Sequence, residues 1–451
     1  MSSRNKRQRI GNAPAPREFG APSADDSPST QLNRDPSSSA LSTRAPQFTS
    51  VPTLTSLCSR IFAENFVRLR NNESIWHETS VYLQMLPEAL LPRTLLELVR
   101  ACPTYLKHEF IVTYFFRGPS LVLSSSLPGV QSQTITALPR MKELRELELF
   151  GFEKISDTTF ASVLPRLPSL KVLVLRGCTR VGPKTLLATA EKCRQLQTVN
   201  LNYTTVTPAS LLPLLLACPR LEVLKLAGIS NWRLDISFTG VRHPLLGPYD
   251  MPGLEKLHMT STGVSNHDLL AILPRLTTLK SLSIGALGAS ERSIASIDSS
   301  MTLTDETLLA ATPMLQFCAL DNVSLVGNIK LGTSTAAILC FVADVGRNCK
   351  WLNLSGIPSL RSRHLAGLQS VDGAPSRLET LILNNTGIDD TVAPFIASCP
   401  ELVWLEVAET KMTSEGLFLV LDSCTKLQKL GLKSCRGVRV GDRRHFFEVR
   451  V

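Results

Sequence analysis

The sequence predicts an α/β solenoid, preceded by a short helical unit and a low-complexity tail. Three observations predict it. An L-x-x-L-x-L pattern recurs from Leu144 onward, with several neighbouring copies starting 24 to 26 residues apart. Each copy is followed by a polar turn and then by apolar residues at helical spacing, as in SDTTFASVLPRLPSL and TPASLLPLLLACPRL. Apolar residues make up 43% of the 451-residue chain and charged residues 19%, enough to bury a long core.

The copies are LRELEL (Leu144), LKVLVL (Leu170), LQTVNL (Leu196), LEVLKL (Leu221), LEKLHM (Leu254) and LKSLSI (Leu279). They continue with LQFCAL (Leu315), CKWLNL (Cys349), LETLIL (Leu378), LVWLEV (Leu402) and LQKLGL (Leu427). The x-L-x-L alternation suits a strand with one buried face, and Ser, Thr or Asp opens each helical stretch at a capping position. A single strand and helix cannot bury their faces alone, so the units must stack, strands on the concave side and helices outside. Residues 228–250, 285–303, 321–348 and 355–377 make units of uneven length, and insertions of this kind emerge as loops at an edge.

Outside the repeats the chain changes character. Residues 1–47 are rich in Ser, Pro, Asn and Ala and are expected to be disordered. They carry the basic cluster RNKRQRI (Arg4–Ile10), readable as an import signal or as a solvated tail. Residues 50–120 read as a separate helical unit. Within VPTLTSLCSRIFAENFVRL (Val51 to Leu69), Leu54, Leu57, Cys58, Ile61 and Phe62 form one apolar stripe, with Thr53 as N-cap and Asn71-Asn72 as the end. Residues 436–451, with Arg436, Arg439, Arg443 and Arg444 beside Phe446 and Phe447, are a basic C-terminal segment. A nucleic-acid patch or a cap on the last repeat would each have this composition, and the need of solenoids for caps favours the second.

No run of 18 apolar residues suggests a membrane span, and no apolar segment follows the basic N-terminus as in a secretory signal. Eleven cysteines in that context read as reduced thiols of the nucleus or cytoplasm. The net charge of +10 permits a DNA contact without requiring one. Nucleotide-binding glycine loops, H-E-x-x-H and paired C-x-x-C are absent and the seven histidines are scattered, so neither an enzyme, a metal nor a cofactor is expected. Function then rests on surfaces. On the concave face, Phe317, Trp351 and Trp404 fall at positions expected to face solvent, with Glu406 beside them, and exposed aromatics anchor protein interfaces. These four are the candidate substrate contacts.

Two resemblances sharpen this reading. Cys193, Cys218, Cys399 and Cys424 each stand three residues before the first Leu of their unit, and Cys178 and Cys435 follow strands as LVLRGC and LGLKSC. This resembles the cysteine-containing leucine-rich repeat family and implies a leucine-rich repeat solenoid (horseshoe) over 144–435, a fold common among substrate-binding subunits of ubiquitin ligases. Thr53-Leu54-x-x-x-Cys58-x-x-x-Phe62 resembles the BC box, the helix by which substrate receptors dock on elongin C. That resemblance implies adaptor docking by Leu54, Leu57, Cys58 and Phe62. The segment from Leu91 to Val99 is similar to the cullin-contacting box and implies a cullin contact through Leu91, Pro92, Leu95 and Val99. Pro213-Leu214-x-x-x-Cys218 also fits the short BC form, but it ends a repeat helix at Pro219. In layout the chain resembles the group of repeat receptors that includes a yeast nucleotide-excision-repair protein. Leu86 to Val99 also has the Leu-Pro opening of an F-box, which would take a Skp-type adaptor, but no Trp appears between 100 and 231. The expectation is a substrate receptor of a cullin ubiquitin ligase binding a protein substrate. An F-box-like receptor and a non-ligase scaffold in DNA repair or chromatin binding are the alternatives.

Overall fold

A computed structural model describes residues 41–43, 53–229, 253–262, 264, 266–285, 303–369 and 374–447, all within the unit Ser39–Val451. The Arg4–Ile10 cluster and most of the 228–250 and 285–303 insertions lie outside the described residues.

Thirteen strands form one sheet among the described residues. They are β1 (Leu41–Thr43), β2 (Ser120–Ser124), β3 (Glu146–Phe150), β4 (Val172–Val174), β5 (Thr198–Asn200), β6 (Val223–Lys225) and β7 (Lys256–His258). The rest are β8 (Ser281–Ser283), β9 (Asn322–Ser324), β10 (Trp351–Asn353), β11 (Thr380–Ile382), β12 (Trp404–Glu406) and β13 (Lys429–Gly431). From β2 to β13 each strand pairs in parallel with its sequence neighbour, as a stack of repeats requires. Two findings differ from the sequence reading. The array begins at β2, ahead of Leu144, and β1 lies inside the segment expected to be disordered, pairing antiparallel with β13.

Among the described residues, four α-helices precede the array: α1 (Leu54–Asn71), α2 (Glu73–Gln84), α3 (Leu91–Ala101) and α4 (His108–Phe115). Within and after the repeats come α5 (Ser132–Thr136), α6 (Asp157–Val163), α7 (Pro183–Lys192), α8 (Pro208–Ala217) and α9 (Asn266–Ile272). The series ends with α10 (Asp305–Gln316), α11 (Thr335–Asp344), α12 (Ala393–Ala397), α13 (Ser414–Ser423) and α14 (Val440–His445).

Three recurrent devices explain why this sequence stacks. From β3 to β13 each strand leaves the sheet through a residue with positive φ, such as Gly177 (72°), Tyr203 (58°), Asn385 (53°) and Glu409 (59°). Gly177 suits this place because its φ of 72° strains any residue with a side chain, whereas an added Cβ would meet the Gly151 backbone only at an ordinary 3.4 Å contact. The side chain one residue later turns back to the carbonyl at the strand's end. Thr204 donates to Leu201 O at 2.7 Å, Thr386 to Leu383 O at 2.7 Å and Thr410 to Val407 O at 2.7 Å. Cys178 and Cys435 stand in the same place, but their Sγ atoms reach carbonyls of the preceding repeat, Leu149 O at 3.6 Å and Val407 O at 3.0 Å. At the outer side, an aspartate of one repeat receives the amides of the next. Asp157 accepts from Gly182 N and Thr185 N at 2.9 and 3.0 Å, and Asp305 from Gly332 N and Ser334 N at 2.9 and 2.7 Å. Burial works against both carboxylates, yet these hydrogen bonds more than offset it and hold their pKa below the ordinary value.

All eleven cysteines are free. Burial pushes the Cys178, Cys193, Cys349 and Cys424 thiols up to about 12, so they act as small apolar fillers. Cys193 and Cys424 also place Sγ 3.3 and 3.4 Å from carbonyls of the preceding repeat. At the C-terminus Phe446 is buried and meets Phe418 edge-on at 5.2 Å. The segment after the last repeat therefore closes the apolar core there.

Candidate docking surfaces

The first surface is built by α1. Thr53 caps it, its hydroxyl accepting from Ser56 N at 3.3 Å, and Asn72 ends it. Its buried residues are Ser56, Ser59, Ala63 and Phe66. The first two are polar but small, and they allow close approach to α3. Ser59 Oγ lies 3.5 Å from Thr94 Oγ1, and Arg93 donates to Ser56 Oγ. The apolar stripe is thereby turned outward. Leu54 is 75% and Ile61 58% exposed, Cys58 is exposed, and Leu57 is half-buried. Phe62 sits at the edge of the stripe, half-buried, its ring 5.9 Å from Phe66. Of the four residues expected to dock an adaptor, Leu54 and Cys58 are free to do so and Phe62 is partly engaged within the unit. Tyr82 on α2 and Met85 at its C-cap are 71% and 72% exposed.

The expected cullin contacts are corrected. Leu91 and Leu95 are 3% and 4% exposed because the apolar face of α3 forms the core of the helical unit, between α1 and β2. Val99 is half-buried against the same core, and only Pro92 is exposed. On this helix Glu97 is buried and held by Arg93 and Arg100 at 3.6 and 3.3 Å. The second match to the short BC form is also internal, since Leu214 and Cys218 are buried.

The second surface is the exposed face of the sheet. Strand register puts Trp351, Thr380, Trp404 and Lys429 in one row, and Asn353, Ile382, Glu406 and Gly431 in the next. Two expectations change here. Phe317 is 87% exposed, but it caps the C-terminus of α10 and lies on no strand. The true repeat copy is LDNVSL from Leu320, whose outward residues are Asn322 and Ser324, whereas Leu315 belongs to the helix. Trp404 is 8% exposed rather than open, with the Lys429 ammonium 5.8 Å from its ring centre. Trp351 is half-buried, and among the described residues the indole N–H groups of both tryptophans have no hydrogen-bond partner. Glu406 is half-buried, and burial pushes its carboxyl up although Asn384 Nδ2 donates to Oε2 at 2.6 Å. The sequence shows no sign of that asparagine's role, because its geometry depends on an adjacent repeat: its Oδ1 accepts from Ala408 N at 2.8 Å.

At the other end of the row that holds Glu406 stands Glu148, on β3. Burial, reinforced by Glu146 and opposed by Lys225, pushes its pKa up to about 7. The folded-state value lies above the ordinary 4.5, so the fold favours the protonated form. The stability this contributes is complete below the ordinary value and lost as pH rises through about 7. Glu148→Gln is therefore expected to melt higher than the wild type at neutral pH, with the difference vanishing near pH 4 and levelling off above about pH 7. Melting curves across that range check it, and a pH-independent difference refutes it.

Similarity to known proteins matches the repeat geometry. The family model described as "FBD-associated F-box protein At5g56370, LRR repeats" matches residues 133–247, which span β3 to β6. The chain has the leucine-rich repeat fold. This repeat protein is 30% identical over 100 residues to the Putative F-box/LRR-repeat protein 23 of Arabidopsis thaliana, a stretch covering 22% of this chain and 18% of that relative. Among solved structures, the Rad7 and Elc1 complex of yeast aligns with a TM-score of 0.49 and 17% identity, covering 86% of this chain and 95% of that one. The internalin inlF of Listeria monocytogenes aligns with a TM-score of 0.41 and 18% identity, over 76% and 86%.

Proposed function

We propose that this leucine-rich repeat protein is the substrate-recognition subunit of a ubiquitin ligase. It docks a small adaptor through α1 and holds a protein substrate on the exposed face of its sheet. The observation that carries this is the inverted amphipathicity of α1: it buries Ser56 and Ser59 and offers Leu54, Cys58 and Ile61 to solvent. A helix that served only as a cap would bury its leucines, and exposed anchors at i, i+4 and i+7 suit helix-in-groove recognition. The resemblance of this stripe to the BC box favours elongin C as the adaptor, with a cullin reached through it. The F-box names of the matched family and relative favour a second reading, in which a Skp-type adaptor binds in its place. The free thiols agree with a nuclear or cytoplasmic setting.

The test is co-purification of the full chain with elongin C and, separately, with a Skp-type adaptor. Leu54→Ala/Cys58→Ala is expected to weaken adaptor capture by roughly 100-fold, since two truncated anchors cost about 1.4 kcal/mol or more each, with the melting temperature unchanged. Undiminished capture by the double variant, or no capture of either adaptor by the wild type, refutes the reading.

A further inference from the structure

The positive charge of this chain is unevenly placed. Between residues 133 and 226 thirteen Lys and Arg stand against seven Asp and Glu, whereas from 227 to 451 the two kinds are equal at twenty-one each. The excess within the array therefore belongs to its first units. There it gathers around an open cavity of about 740 Å³, where α4 meets α5 and the turns that follow α5 and α6. Arg140, Lys142 and Arg166 line this cavity, and among the described residues no part of α1 or of the sheet does.

Local sequence brings the three cations together. Arg140 and Arg166 hold equivalent places in neighbouring repeats. Each closes a single 3-10 turn, Leu138–Arg140 and Leu164–Arg166, in which the leucine is buried and the arginine exposed. Met141 is buried between Arg140 and Lys142, so both of its neighbours are carried to the surface. Among the described residues none of the three side chains has an ion pair or a hydrogen bond. Like charges around one concavity repel one another and focus a positive field into it. Two further polar groups line the same cavity. One is Gln133, and the other is His108, whose ring is fixed by buried Thr134 with Oγ1 3.0 Å from Nδ1.

Charge and shape select the ligand. A lone carboxylate would bring one negative charge to three cations. A phosphate ester brings about two, with three acceptor oxygens that the planar forks of two arginines take in pairs. The exposed carboxylates of Glu109 and Glu143 adjoin His108 and Lys142 in sequence, and they oppose a continuous polyanion such as a nucleic-acid backbone. Pro139 and Pro168 add apolar lining, and the volume leaves room for the residues on either side of one phosphate. We infer that this cavity is a binding site for a protein segment carrying one phosphorylated side chain. The site is separate from α1 and from the face of the sheet, and it stands whether or not α1 docks an adaptor.

The test is retention of the full chain on an immobilised peptide library with phosphoserine, phosphothreonine or phosphotyrosine fixed at the centre and randomised flanks. The same library without phosphate, and one with glutamate at the centre, are run beside it. The phosphorylated library should retain the wild type about tenfold better or more than either of the others. Arg140→Ala/Arg166→Ala should lower that retention about tenfold or more, with the melting temperature unchanged because both side chains are exposed. Lys184→Ala/Lys192→Ala removes equal charge from exposed positions that do not line the cavity, and should behave as the wild type. Equal retention on all three libraries overturns the proposal, as does an equal loss in the two double variants. Capture of a fluorescein-labelled DNA duplex that Arg140→Ala/Arg166→Ala abolishes, with no preference for phosphorylated peptide, overturns it too and assigns the cavity to nucleic acid.

Discussion

Phe66→Ala is expected to unravel the N-terminal helical unit while the repeat array stays folded. The Phe66 ring is fully buried and lies at the centre of an aromatic cluster, 5.9 Å from Phe62, 5.7 Å from Trp76, 6.3 Å from Tyr105 and 5.4 Å from Phe110, with each pair edge-on. Those rings come from α1, α2, α4 and the turn between α3 and α4, so one side chain ties the unit together. Removing a buried phenylalanine costs about 3–5 kcal/mol, part transfer and part cavity. In a solenoid each element contacts only its neighbours, so the damage stays local. Amide exchange in α1, α2 and α4 should rise by roughly 100-fold or more, at about 1.4 kcal/mol per tenfold, while β4 to β13 keep their protection. Under the proposed function adaptor capture should be lost as well, in contrast with Leu54→Ala/Cys58→Ala, where capture should fall and exchange should not change. Wild-type protection of α1 in Phe66→Ala would contradict this account of the unit.

The second large effect is expected at Asn328. This residue is fully buried, and its amide closes both ends of the insertion between β8 and α10. Nδ2 donates to Leu325 O at 2.8 Å and to Ile284 O at 3.2 Å, and Oδ1 accepts from Leu303 N at 3.0 Å. Ile284 is where the chain leaves β8, and Leu303 is where it returns. Asn328→Ala leaves two carbonyls and one N–H buried without partners. At ~1–3 kcal/mol for an unsatisfied group, partly relieved by relaxation, a loss of about 2–4 kcal/mol follows. Asn328→Thr should recover only the bond to Leu325 O, as Thr386 and Thr410 make in their own repeats, and so fall between wild type and alanine. Denaturant unfolding of the three forms checks the order. Equal stability of the Thr and Ala variants would show that the local carbonyl bond contributes nothing.

Most of the repeat architecture was legible because leucine burial in a strand has a period of two, and only one phase of each copy can face a core. The same rule explains the error at Leu315. Leu315, Cys318 and Leu320 imitate the motif across the end of α10, while the real strand, LDNVSL, carries Val323 in place of a leucine. Phe317 was therefore placed on the sheet when it caps a helix. The first strand of the parallel array, β2 with LVL at 121–123, escaped notice because no L-x-x-L precedes it. Trp404 was expected to be open, but its exposure depends on its surroundings in space, and the Lys429 side chain over its ring comes from the next repeat.

By itself the sequence determined the repeat class and the helix starts, because each is written in local spacing and local capping. It also determined that α1 carries an apolar stripe. Which way that stripe faces was decided only by the tertiary structure. Ser56 and Ser59 are small enough to let α1 close on α3, and this turns Leu54 and Cys58 to solvent while Leu91 and Leu95 go into the core. The pairing of Leu41–Thr43 with β13 was likewise beyond the sequence: three residues at one end of the chain meet three near the other through backbone groups, which carry no side-chain signature.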